Sequence, residues 1–92
     1  MYLSEGIGHG FLALEEGSTL SYLCSTGYAP GREHGINPLD PALALPIEGH
    51  LPEGVEFTLS DKDTGAPTLA EAAEQGLLPS WDVCREFIAT LA

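Results

Sequence analysis

The chain has 92 residues, a formal net charge of -11 and a sequence pI near 4.2, with 14 acidic residues set against Arg32, Lys62 and Arg85. That balance excludes nucleic acid as a partner, because phosphate binding draws on clustered cations. Apolar residues make up 43% and charged residues 18%, which is globular and not disordered composition.

Met1 to Gly10 lacks a basic region followed by an apolar run, so it does not read as a signal peptide. With no stretch near the ~18 apolar residues of a membrane span, a cytoplasmic location without membrane contact is expected. Tyr2-Leu3, Gly10 to Leu14 and Ser18 to Cys24 are short apolar or alternating runs and predict strands. In the last of these, Leu20, Tyr22 and Cys24 share one face. Glu15-Glu16-Gly17 fits a hairpin turn between the second and third runs.

Between Gly27 and Pro52, Pro30, Pro38, Pro41, Pro46 and Pro52 break every possible helix or central strand. This predicts a long ordered loop with one helical turn near Asp40. A loop of such length inside a compact domain points to function, and Tyr28, Arg32 and Glu33 stand at its start. Val55 to Leu59 predicts a last strand. Thr68 and Glu71 form a capping box for a helix over Leu69 to Gln75 that Gly76 stops. Ser80 caps a second helix, on which Cys84, Phe87, Ile88 and Leu91 make one apolar stripe. Cys24 and Cys84 belong to no CxxC pair and are expected to be reduced, buried thiols.

Short strands, long loops and terminal helices predict a mainly β fold, a β-barrel or jelly roll with C-terminal α-helices. Residues 1–66 would form the barrel part and 67–92 the helical appendix. Only about four strands can be counted where a jelly roll needs about eight, so the expected barrel is partial.

Ser4-Glu5-Gly6-Ile7-Gly8-His9-Gly10-Phe11 resembles the P-x-G-x-x-H element of cupins, with Ser in place of Pro. A glycine turn of this kind delivers a histidine at the start of a strand. His9 therefore reads either as a hydrogen-bonding pocket residue or as a structural histidine. His34 and His50 lack HxH spacing, and no metal site is expected. The ordered set G-I-G-H-G-F, Tyr22 and Tyr28, Pro30, Glu33, Gly35-Ile36, Asp40-Pro41 and Ser60-Asp61-Lys62-Asp63 is similar to the dTDP-4-keto-6-deoxyhexose 3,5-epimerases (the dTDP-4-dehydrorhamnose 3,5-epimerase family). It covers residues 1 to about 80. Such enzymes use a cupin-like jelly-roll β-barrel, usually as homodimers and without a cofactor, to invert carbons flanking the C4 ketone of a dTDP-linked sugar in deoxysugar biosynthesis, so the resemblance implies that this fold is partly present here.

The resemblance implies Tyr22 as proton donor and Asp63 as the carboxylate that orients a catalytic histidine. Tyr28, Lys62, Glu33 and His9 would contact the nucleotide sugar. Each position also has a plainer reading: a strand aromatic for Tyr22, a surface aromatic for Tyr28, solvated turn charges for Lys62 and Asp63. The family's N-terminal half supplies the histidine base, a lysine and arginines, and these are expected to lie outside this sequence. The loop after Asp40-Pro41 is also shorter than the family form and lacks its tryptophan. The chain thus reads as a C-terminal half, inactive alone, with a non-catalytic binding or oligomerisation partner as the alternative.

Overall fold

A computed structural model describes residues 1–91, Glu48 through its backbone. Three one-turn 3-10 helices, Pro30–Arg32, Pro41–Leu43 and Glu48–His50, lie in the Pro-dense loop, and three α-helices follow. These are α1 (Asp61–Thr64), α2 (Leu69–Glu74) and α3 (Trp81–Ala89).

The helices form where the sequence supplies caps. The Ser60, Thr68 and Ser80 hydroxyls each accept from the backbone N–H three residues on, at 3.1, 3.2 and 3.4 Å. At α2 the box closes, because Glu71 Oε1 also accepts from the Thr68 N–H at 3.4 Å. Gln75 caps this helix, and Gly76 follows it with φ +70°. At the first turn of Pro41–Leu43, proline sits where its missing N–H costs nothing, and Ala44 ends the turn in the left-handed region at φ 49°.

The expected β-barrel is absent. Among the described residues no strand forms, so the runs at Tyr2-Leu3, Gly10 to Leu14, Ser18 to Cys24 and Val55 to Leu59 carry no ladder. The Glu15 to Ser18 turn is present, with the Ser18 N–H donating to Glu15 O at 3.4 Å and Gly17 at φ +75°, but its flanks do not pair. Alternation of apolar residues prepares a face; a sheet also requires partners, three or more strands or a helix to pack on. Roughly four short candidates divided by a Pro-dense loop do not meet that condition.

Packing reflects the same deficit. Ala72 is buried, at 1% exposure, while large apolar side chains including Phe11, Leu14, Leu23, Tyr28 and Trp81 are exposed. The accessible surface of 8168 Å² exceeds the ~5,100 Å² of a compact chain of this mass. A radius of gyration of 15.4 Å likewise exceeds the ~12 Å of a compact domain. Cys84 is half-buried and Cys24 exposed, which corrects the expectation of two buried thiols, although both are free.

One contact ties the N-terminal turn to α3. Gly6 has φ +87°, and a Cβ there would stand 2.9 Å from Cys84 Sγ and 3.5 Å from Trp81 Cε3. Gly6→Ala combines that overlap with a left-handed penalty of ~1–2 kcal/mol. It is expected to release the turn and to speed thiol modification of Cys84 several-fold, towards the rate of exposed Cys24. Unchanged relative rates of the two thiols would show that the turn does not rest on α3.

Candidate functional site

Four separate segments carry the residues singled out from the sequence. His9 follows the Ser4 to Ile7 turn, which is closed by the Ile7 N–H donating to Ser4 O at 3.3 Å. The φ +87° of Gly6 gives this turn its sharpness, as the motif requires. Tyr22 lies in the irregular run before Cys24 and is 73% exposed. Tyr28, 79% exposed, and Glu33 flank the Pro30–Arg32 turn. Glu33 bends back so that its Oε1 accepts from the Ala29 N–H at 3.3 Å, fixing the turn beside Tyr28.

Lys62 and Asp63 stand on α1, a helix the sequence reading did not contain. The signal was present, because Ser60 ahead of Asp61 and Asp63 is an N-cap followed by acids in a first turn. Asp63 is half-buried and Lys62 exposed. Neighbouring positions on one turn diverge by about 100°, so the two side chains serve different directions.

Among the described residues no hydrogen bond or ion pair joins His9, Tyr22, Tyr28, Lys62 and Asp63 to one another. The recorded ion pair is Arg85 to Asp82 at 3.3 Å, within α3. The five residues stand on several supports, His9, Tyr22, Tyr28 and Lys62 exposed and Asp63 half-buried. Two shallow grooves of about 570 and 370 Å³ lie on either side of Leu39 and Phe57, and none of the singled-out residues lines either. The described residues hold no group of three or more His, Cys, Asp or Glu able to bind a metal ion, and no helix long and apolar enough to cross a membrane.

A second cluster holds the end of the loop; the sequence showed Asp40-Pro41 and a helical turn near Asp40, which is the Pro41–Leu43 turn, but not the bonds to α1 and α2. The Asn37 N–H donates to Pro67 O at 2.9 Å. Its side chain donates to Thr64 O at 3.4 Å and accepts from the Leu39 N–H at 2.9 Å. Asp40 accepts twice, from the Ala42 N–H at 3.0 Å and from the Leu69 N–H at 2.8 Å. Three of these bonds bridge some thirty residues of sequence and join the loop to α1 and α2.

Comparison with known proteins gives these supports a context. Residues 1–71 match the family model described as dTDP-4-dehydrorhamnose 3,5-epimerase. The chain belongs to that family. A dTDP-4-dehydrorhamnose 3,5-epimerase of Mycolicibacterium smegmatis is 52% identical over 91 residues, which are 99% of this chain and 42% of the relative. The crystal structure of ChmJ, a 3'-monoepimerase from Streptomyces bikiniensis in complex with dTDP-quinovose, is similar with a TM-score of 0.57 and 52% identity. That similarity covers 70% of this chain and 30% of ChmJ. A ChmJ double mutant, with a histidine changed to asparagine and a tyrosine to phenylalanine, in complex with dTDP, is similar with a TM-score of 0.58 over the same shares. The chain thus spans less than half the length of the relatives it matches.

Proposed function

We propose that this chain is the part of a dTDP-4-keto-6-deoxy sugar epimerase that carries the proton donor Tyr22 and the carboxylate Asp63. The reading is carried by the family match across residues 1–71, which contain all six singled-out positions. The relatives include a 3,5-epimerase and a 3'-monoepimerase. Inversion at C3 is common to both names, so C3 is the centre we assign.

The chemistry follows from the ketone. A carbonyl acidifies the adjacent C–H, a base removes that proton, and the resulting enolate takes a proton on its opposite face. Tyr22 suits the second step, because a phenol carries a hydroxyl proton that it can yield to a carbanion. The base is a histidine supplied outside this sequence, with Asp63 holding its ring and stabilising the imidazolium, as an aspartate does in a catalytic triad. Tyr28 offers a flat face to the nucleotide sugar and a hydroxyl free to bond. Lys62 meets a phosphate or the sugar, with Glu33 and His9 as polar contacts. A dTDP diphosphate is anionic and this chain carries a formal charge of -11, so the other cations that bind it must come from the rest of the enzyme.

The test is complementation. The chain is incubated with dTDP-4-keto-6-deoxyglucose, alone and together with the part of the Mycolicibacterium smegmatis relative that lies outside the 91-residue match, and C3 inversion is followed by NMR. No turnover alone and measurable turnover with the added part are expected. Loss of a general base typically costs ~10²–10⁴ in rate, and this chain lacks the remainder of the pocket as well. Inversion by the chain alone, or none with the added part, would overturn the assignment. The second reading, a non-catalytic partner of an epimerase, is favoured by the exposed apolar side chains at Phe11, Leu14 and Leu23; it predicts binding of the added part without turnover.

A further inference from the structure

We infer that Asn37 and Asp40 are positioning residues for Asp63, acting as a clasp that sets α1 against the loop bearing Tyr28 and Glu33. The inference rests on the reading of Asp63 as a site carboxylate and is carried by geometry that the family match does not contain.

Helix α1 is four residues long, Asp61–Thr64. One turn fixes many dihedral angles for a single hydrogen bond and does not persist by itself, so where Asp63 points depends on what grips the two ends of the turn. At the front the Ser60 hydroxyl accepts the Asp63 N–H at 3.1 Å. At the back, the carbonyl of Thr64, the residue next to Asp63, accepts from Asn37 Nδ2 at 3.4 Å. Two residues beyond the helix cap, Pro67 O accepts the Asn37 N–H at 2.9 Å. Asn37 thus reads both sides of the turn that leaves α1.

Asp40 completes the grip. The Asp40 N–H donates to Asn37 O at 3.1 Å, which locks the two residues into one turn. Its two carboxylate oxygens then divide their work: Oδ1 caps the Pro41–Leu43 turn through the Ala42 N–H, and Oδ2 takes the Leu69 N–H, the first of α2, at 2.8 Å in a part-buried setting. Charge-assisted bonds of this kind are shorter and stronger than neutral ones. Three elements therefore meet at Asn37 and Asp40, and Glu33 lies only four residues upstream of Asn37. The loop that carries the Tyr28–Glu33 turn is thereby anchored to α1 at Asn37.

Conservative changes separate positioning from general stability. Asn37→Asp keeps the oxygen that accepts from the Leu39 N–H and replaces the donor to Thr64 O with a carboxylate oxygen that repels that carbonyl. Asp40→Asn keeps one acceptor oxygen where two are used. The measurement is amide hydrogen exchange and NMR shift on the 92-residue chain at low ionic strength, where its charge of -11 opposes association. In N37D, exchange at the Thr64 and Gly65 amides is expected to accelerate ~5–30-fold, the ratio that one to two kcal/mol corresponds to. The Asp63 carboxyl carbon should shift, while the Leu39 amide and the buried Ala72 keep their wild-type values. In D40N, one of the Ala42 and Leu69 amides loses protection and the other retains it.

Unaltered α1 amides and an unmoved Asp63 signal in N37D would overturn the proposal. So would a wild-type Leu69 amide exchanging as fast as in an unstructured chain. Neither readout involves turnover, so a clasp that holds in a chain that fails complementation would count against the epimerase reading alone.

Discussion

In solution the isolated chain is expected to associate, eluting well ahead of a compact 9.7 kDa monomer and binding a hydrophobic dye. The expectation comes from area. With 8168 Å² accessible, about 3,000 Å² more surface faces water than in a compact chain of this mass. At ~25 cal/mol per Å² of apolar area, the stabilisation left unrealised is on the order of tens of kcal/mol, larger than the 5–15 kcal/mol that separates folded from unfolded domains.

Phe11, Leu14, Leu20, Tyr22 and Leu23 all lie exposed along runs without ladder partners. Unpaired backbone next to apolar side chains recruits other chains. The charge of -11 opposes self-association over long range but is screened within ~8 Å at physiological salt, so association should strengthen as salt is raised. Light scattering decides: a monodisperse monomer of ~12 Å radius of gyration with cooperative unfolding would contradict the exposed packing described above. Addition of the remaining part of a relative should convert the associated species into a defined complex.

The helices were legible because their determinants are local. Thr68 with Glu71, Gly76, and Ser80 ahead of an apolar stripe act within a few residues of themselves, and each stands where the pattern placed it. The same local chemistry marks α1, where Ser60 caps a first turn carrying Asp61 and Asp63. The barrel was illegible for the opposite reason. Alternation in Ser18 to Cys24 specifies which face would be apolar, but a strand exists only through bonds to another segment, and such bonds cannot be read from one run.

Site residues divide along the same line. The glycine turn before His9 and the Glu33 bond that closes the Tyr28 turn are short-range consequences of sequence. The clasp at Asn37 and Asp40 depends on residues about thirty positions away and emerged only from the structure. Tyr22 and Tyr28 are exposed, in a chain that spans 42% of its relative's length. Membership of the family was legible because an ordered series of motifs, from G-I-G-H-G-F to S-D-K-D, is far more specific than any one of them.

The central claim is that Tyr22 delivers a proton to the carbon beside the ketone, and one variant tests it most directly. Tyr22→Phe keeps the ring and removes the hydroxyl, so the complemented enzyme should still bind its substrate and its histidine should still abstract the proton. Reprotonation from the opposite face would fail. With the reaction run in D₂O and followed by NMR, C3 inversion is expected to fall by ~10²–10⁴, while deuterium continues to enter at C3 with retained configuration. If the variant instead inverts C3 at the wild-type rate, Tyr22 is not the donor and the account of this chain as the proton-returning side of an epimerase fails.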